Sequence, residues 1–486
     1  MRLLSLLTAL SIASLPAVAA TELANVVCFA SFADNADDQW ANDRAHYDAL
    51  INDDADGANS VYSYFRDASY GSLHWQGTLA EGQYTDANAR GYYCKKSSIN
   101  PDGYTEDLMM IDSQTRLHKF IAAAAAYAET VLPADAMLDG NNDGEVDNFT
   151  VVIKGNSDIS ASRLLWPQNN RLIWAQASIH GKKVSNFLIV FDSANGYQSL
   201  RPIALNTGVM CHEMMHTFDA YDLYTNGSKE KDLAPVGIWD LMSDNQTVPQ
   251  GMTAYTRMTY GRGYGNWIPA IDELTENGTY TIAPLDSPTP ENVTYKIRPD
   301  KSREEYFMVE YRRKSNLWDA SLPAEGLLVY RVNPGKHGNL SNSNERFELY
   351  IFRPDGSPTS AGRIADAPLH PDNNRTSFGA DGDTDYPFYS DGSRAPFSLT
   401  DVTETPDGMS FTLTLGSSAI ASVESTDNLL RYDRATRTIH APADATVEIY
   451  DAAGRRVADL RIAPRGLYIA RAIYPDGTTR TLKVQL

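Results

Sequence analysis

The apolar run ANVVCFASFAD, residues 24–34, has the length and content of a buried strand. NSVYSYFRDASYGSLHWQGTL, residues 59–79, follows with a helix-like segment, a turn at Tyr70-Gly71 and a second strand. Residues 104–132 hold strong helix formers with no internal Gly or Pro, which predicts one or two helices. NFTVVIKG (148–155) and VSNFLIVFD (184–192) are rich in β-branched and aromatic residues and read as strands. This alternation predicts a mixed α/β domain over residues 21–275. Beyond it the texture changes to short apolar runs separated by turn clusters: GTYTIAPL, EYFMVEYRR, GLLVYRVN and RFELYIFR. No long helical period survives there, so residues 276–416 are expected to form a β-sandwich. LGSSAIASVES, residues 415–425, reads as a linker to a small all-β unit at 417–486, whose strands are punctuated by Ala-Gly, Arg-Gly and Asp-Gly turns. The fold class expected is therefore a multidomain α+β chain.

A chain of 486 residues is too long for one ordinary core, which agrees with several domains. Residues 1–20 carry Arg2, an apolar run and the small triplet Ala17-Val18-Ala19, the pattern of a secretory signal peptide cut after Ala19 or Ala20. The run is broken by Pro16 and falls short of the ~20 residues a membrane span needs. With Thr21 and no cysteine at the new N-terminus, a lipoprotein anchor is not expected. The first strand begins at once, which leaves no room for a long propeptide, so latency through a detachable prodomain is not expected either. Loss of Arg2 takes the formal charge from −20 to −21, and no basic run offsets it. Nucleic acid and anionic membrane surfaces are therefore not expected as partners. Of the three cysteines, Cys28 and Cys94 are the expected disulfide pair, and Cys211 is expected to be buried and free.

Candidate chemistry concentrates in CHEMMHTFDAYDLY, residues 211–224. On a helix His212 and His216 lie about 40° apart around the axis and roughly 6 Å along it, so both imidazoles can reach one zinc ion. Glu213, one residue on, stands where a general base can take a proton from an attacking water. Zinc commonly takes three protein ligands, so one more is needed. In the extended pattern HExxHxxGxxH that position falls on Asp222, and the glycine falls on Asp219, a residue type that tolerates the left-handed turn. Asp219 itself and Glu230 are the alternatives for the third ligand. Met242, in GIWDLMSDNQ, resembles the Met-turn that forms an apolar floor under the metal in metzincins.

Taken in order, SVYSYFRDASYGSL, LDGNNDGEVDNFTVVIKG, LLWPQ, CHEMMHTFDAYDLY, GIWDLMSD, PQGMTAYTRMTYG and EYFMVEYRR with LPAEGLLVYRVN resemble the immune inhibitor A-like secreted zinc metallopeptidases over about residues 24–415. Two departures are Asp219, where the family has Gly, and Ala220-Tyr221, where it has Leu-Pro. The resemblance implies a metzincin-like protease domain, Asp222 as third zinc ligand, and hydrolysis of protein or peptide substrates with Glu213 as base. A catalytically silent surface binding or adhesion protein on the same scaffold is the alternative. Tyr255 and Tyr260 lie just past the Met-turn, where a phenol could stabilise an oxyanion.

LDGNNDGEVD presents Asp139, Asn141, Asp143 and Asp147 around Gly144, half of an EF-hand-type calcium loop, with Thr150 where the bidentate Glu should stand. Calcium binding and a plain Asx-rich turn are both open for it. Asp381, Asp383 and Asp385 in GADGDTDYPF are expected in a solvated loop. The tail, in VEIYDAAGRRV, PRGLYIARA and TLKVQL, resembles the C-terminal sorting domain of the type IX secretion pathway of Bacteroidetes. That resemblance implies export by the type IX machinery, with a monomer released outside the cell or held at its surface.

Overall fold

The computed structural model describes residues 20–485, except 158–160, 196–201, 228–231, 382, 384, 417–430, 434–437, 442–444, 452–453, 462, 465 and 474–478. The expected leader apart from Ala20, and the expected linker apart from Leu415 and Gly416, thus lie outside the described residues. The chain is mixed α/β with several sheets and few helices. No helix among the described residues is long and apolar enough to cross a membrane. Two compact units result, Met1–Gly416 and Ser417–Leu486.

In the first unit β1 (Thr21–Ser31) lies between β2 (Leu73–Leu79) and β4 (Asn148–Asn156), and β3 (Tyr84–Thr85) extends its far end. The order runs β2-β1-β4-β8-β5, with β8 at Asn186–Asn195, the edge strand β5 at Gln168–Arg171, and β9 (Pro202–Ala204) beside β8. β1, β2, β4 and β8 are parallel, whereas β5 and β9 run antiparallel to β8. β6 (Ser178–Ile179) and β7 (Lys182–Lys183) form a separate hairpin.

Both faces of this sheet are covered, which is why β1 reads as a continuous apolar run rather than an alternation. Leu23, Val27 and Phe29 enter one apolar cluster with residues of α1 (Arg44–Asn52), α2 (Val61–Ala68) and α4 (Thr207–Met215). Val26, Cys28 and Ala30 point to the opposite face, against α3 (Ile111–Val131). The long helical segment resolves into that single helix, entered through Met110 in the left-handed conformation.

This parity corrects the expected disulfide. Cys28 is a buried free thiol donating weakly to the Ala124 carbonyl of α3 at 3.6 Å, and burial pushes its pKa up to about 12. Cys94 instead closes the turn Arg90–Tyr93, its Sγ 3.6 Å from the Arg90 carbonyl.

Downstream, β10 (Asp272–Leu274), β12 (Thr294–Ile297), β13 (Tyr306–Arg312), β14 (Gly326–Val332) and β15 (Leu349–Ile351) form a five-stranded sheet in that order. β11 (Gly278–Ile282), β17 (Gly408–Leu415) and β16 (Phe397–Thr405) form a second, antiparallel one. Ile282, Phe307, Val309, Phe397, Phe411 and Leu413 share the cluster between the sheets, with the Phe307 and Phe397 rings 4.9 Å apart. The other face of β13 and β14 carries Tyr306, Met308, Leu328 and Tyr330, and these belong to the same cluster as α4 and Met242. The cores on either side of residue 275 are therefore continuous, and both segments fall within one compact unit.

Arg312 ties them further. Wholly buried on β13, it pairs with Asp319 at 2.5 Å and donates to the carbonyls of Trp239 and Gly251, both 2.9 Å away. In the second unit β18 (Arg431–Asp433) pairs with β19 (Thr438–His440). A three-stranded antiparallel sheet of β20 (Thr446–Asp451), β21 (Leu467–Ile473) and β22 (Thr479–Gln485) buries Leu460, Tyr468 and Val484.

Candidate metal centre

α4 begins where the Asn206 side chain accepts the Val209 N–H. Gly208 lets it lie against the loop after Met242, because a Cβ there would stand 1.8 Å from the Gln246 carbonyl oxygen. The helix tightens into a 3-10 turn, His216–Phe218, and stops at Asp219 with φ 61° and ψ 22°. The sequence needs a left-handed residue at this stop, and Asp219 supplies it. Its side chain is 80% exposed and faces Arg171 at 3.4 Å, so it is not one of the converging ligand atoms. The other alternative, Glu230, lies outside the described residues.

His212 Nδ1 is 3.0 Å from the Leu241 carbonyl and His216 Nδ1 is 2.7 Å from the Ala220 carbonyl. A carbonyl only accepts, so both Nδ1 atoms carry protons and donate, which aims the Nε2 atoms inward. Both face one oxygen, Asp222 Oδ1, at 3.2 Å from His212 and 3.4 Å from His216. Among the described residues, these three side chains are the one group of His, Cys, Asp or Glu whose ligand atoms all lie within 4.8 Å of one another. Donor atoms about 2.0–2.1 Å from a tetrahedral zinc ion stand about 3.3 Å apart. In the metal-free protein the same 3.2 Å leaves His212 Nε2 within hydrogen-bond reach of Asp222 Oδ1. The spacing and the donor set fit zinc.

The electrostatics of the cluster favour positive charge at its centre. Burial alone would lower the His212 pKa, but Asp222 and Glu213 carry it up to about 9. Burial would raise the Asp222 carboxyl, yet the two imidazoles hold it well below the usual carboxylate range. Glu213, 7% exposed, is raised by burial against the opposing pull of the imidazoles. A divalent cation would satisfy the same acidic groups in place of the two imidazole protons.

Met242 is fully buried with Met214 and Met215 in the cluster beneath the site. Its carbonyl accepts the Leu223 N–H at 2.8 Å, next to Asp222, and its own N–H donates to Asp240 Oδ1 at 2.9 Å. Asp240 also accepts from the Thr253 amide and hydroxyl and from the Thr256 hydroxyl, which pins this loop to the next helix, α5 (Ala254–Tyr260).

The phenols differ from expectation. Tyr255 and Tyr260 both donate to Glu348 Oε1, at 2.5 and 3.2 Å, and neither lines the cleft. The cleft, of about 510 Å³, takes Tyr221, Tyr224 and Tyr264 instead, together with Glu213, His212, His216, Asp222 and Asn169 of β5. Tyr224 stacks on His212 with centroids 6.4 Å apart, and burial followed by the nearby Asp222 charge raises its phenol. The sequence signal for it was only proximity, since Tyr224 is two residues beyond Asp222.

In the acidic loop, Asp139 accepts the Asp143 and Gly144 amides and holds Lys182 Nζ at 2.6 Å. Asn141 also accepts the Asp143 amide, and Asp143 accepts that of Glu145. Asp147 Oδ2 takes the Ala24 and Gly140 amides, while its Oδ1 is buried without a partner. Burial pushes the Asp147 carboxyl up to about 6. The structure thus shows an Asx-rich turn with a lysine at its first carboxylate. In the second acidic loop Asp383 accepts the Ala380 amide and Asp385 pairs with Arg375.

A scan against protein-family models and a search of curated proteins each found no match to this chain.

Proposed function

We propose that the chain is a zinc-dependent endopeptidase of the immune inhibitor A-like kind, with a metzincin-like catalytic region. The observation that carries this reading is the meeting of His212 Nε2, His216 Nε2 and Asp222 Oδ1 beside the buried carboxylate of Glu213. His212, His216 and Asp222 would hold the metal. When bound, zinc supplies Lewis-acid polarisation of the scissile carbonyl and lowers the pKa of the attacking water.

Glu213 takes the proton of that water and passes it to the leaving amine, and a carboxyl raised by burial suits both halves of the transfer. Tyr224, at the ligand cluster, offers a phenolic donor to the developing oxyanion. β5 is an edge strand whose Gln168, Asn169, Asn170 and Arg171 line the same cleft. A peptide can add to such an edge as a further strand, which makes an extended protein segment the fitting substrate. Residues 417–486 act as a type IX sorting tail that delivers a monomer outside the cell or to its surface.

The test is casein hydrolysis by the purified protein beside Glu213→Ala, with zinc content measured on both. Activity in the parent alone, with zinc bound to both, is the expected result. Equal activity in the two, or no zinc in the parent, overturns the reading. The silent binding protein is the second outcome, and retention of Glu213 next to three converged ligands speaks against it.

A further inference from the structure

Asp222 is the ligand with the least local support. His212 lies on α4 and His216 on its 3-10 continuation, but residues 220–223 belong to no helix or strand. What holds them comes from the far side of β14. The Asn339 amide donates to the Asp222 carbonyl at 2.8 Å. Asn339 Nδ2 donates to the carbonyls of Leu223 at 3.1 Å and Leu349 at 2.8 Å. Its Oδ1 accepts the amides of Glu348 at 2.8 Å and Leu349 at 3.3 Å. Asn339 is 0% exposed, and its side-chain donors and acceptor are all engaged.

Glu348 anchors this clamp. It is 2% exposed, and no Lys, Arg or His pairs with it among the described residues. One carboxylate oxygen accepts the Tyr255 and Tyr260 hydroxyls, and the other accepts the Gly338 amide. Gly338 has φ 75°, and a Cβ there would lie 2.5 Å from the Asp222 carbonyl oxygen. The backbone therefore approaches the ligand as closely as glycine permits. A buried carboxylate with no cation is costly unless hydrogen bonds satisfy it, and here they run from α5 to the segment touching Asp222.

We infer that Asn339 and Glu348 are positioning residues for the third metal ligand. They lock the main chain at residues 222–223, with Met242 holding Leu223 from the other side. The carboxylate then meets the imidazoles already oriented, and the sheet region completes a centre that the helix begins. This rests on the zinc reading above.

The test measures zinc affinity by chelator competition, and the rise in unfolding temperature on adding zinc, for the parent, Asn339→Ala, Glu348→Gln and Asn344→Ala. Partners outside the first coordination shell typically control about 10- to 100-fold in metal affinity, and that loss is expected for Asn339→Ala and Glu348→Gln. Their zinc-induced rise in unfolding temperature shrinks with it. Asn344 is buried in the same region but bonds Arg331 and Ser390, so Asn344→Ala should lower stability with zinc affinity unchanged. Parent-like zinc affinity in Glu348→Gln overturns the inference even if Asn339→Ala fails to fold. An equal loss in Asn344→Ala overturns it as well, since the effect would then be general destabilisation. A parent that binds no zinc defeats the zinc reading and this inference together, whereas a zinc-binding parent with indifferent variants defeats this inference alone.

Discussion

The amide nitrogen of Asn339 stands 2.8 Å from the carbonyl oxygen of Asp222, joining the irregular end of the candidate metal motif to the segment beyond β14. Through this contact the geometry of a ligand named by a local motif depends on residues far along the chain. The same dependence shapes what mutation and pH should do.

Zinc binding should be strongly pH-dependent. In the metal-free protein His212 is carried up to about 9, so below that pH zinc must displace a proton and its apparent affinity falls with acidity. Because the folded pKa lies above the ordinary 6.5, the proton contributes stability that is complete below pH 6.5 and lost as pH rises towards about 9. Asp222→Asn should bring His212 down in an NMR titration of zinc-free protein and abolish tight zinc binding. An unmoved His212 titration would contradict the pairing.

Tyr224→Phe should lower kcat by roughly a hundred- to a thousandfold with little change in KM, as loss of an oxyanion donor does. Tyr255→Phe removes a buried hydrogen bond to the Glu348 carboxylate and should cost about 1.5–3 kcal/mol of stability. Steady-state kinetics with thermal unfolding on both variants checks the division of roles; a larger kcat loss in Tyr255→Phe would reverse it.

Asp219→Gly should be neutral or stabilising by up to about 1 kcal/mol, because glycine adopts φ 61° without steric cost and the Arg171 pair it removes is exposed. Asp219→Val should destabilise by more than that, since a β-branched residue is strained there. Urea unfolding of the two variants decides, and a stable Asp219→Val would show that the turn is not strained.

His118 accepts the amides of Ile173 and Trp174 at Nδ1, and burial lowers its pKa from 6.5 to about 4. The folded state resists protonation more than the unfolded one. Stability from this group is therefore complete above pH 6.5 and lost as pH falls towards 4. His118→Gln should flatten the stability profile across that window; the unchanged slope of a urea series from pH 7 to 4 would refute the assignment.

Asp147 has a folded pKa of about 6 against the ordinary 3.8, so above pH 6 its buried charge weakens the fold. In chelator at pH 8, Asp147→Asn should match or exceed the parent in unfolding temperature. A calcium-dependent rise confined to the parent would show that a cation, in addition to the amides, uses the unpartnered Oδ1.

His212, Glu213 and His216 could be placed from the sequence because helical geometry depends only on residues a few positions apart. Asp222 followed from a fixed offset, and Asp219 from the need for a left-handed stop at the helix end. The strands were also legible, since apolar runs such as YFMVEYR and GLLVYRV announce themselves. What the runs did not announce is that both strands are buried on two faces, Glu310, Arg312 and Arg331 included, which ties β13 and β14 to the core on both sides of residue 275.

Other features needed the assembled fold. Which tyrosine faces the cleft depends on where the Glu348 carboxylate arrives, and that carboxylate draws Tyr255 and Tyr260 away while Tyr224 stays at the ligands. Cys28 and Cys94 could be paired on paper until strand parity sent Cys28 under α3. The sequence by itself thus determined most of the elements and the candidate ligand types, because short-range sterics and periodicity dictate them. Tertiary structure alone decided what holds Asp222 in place, because Asn339 and Glu348 act through contacts that no local pattern encodes.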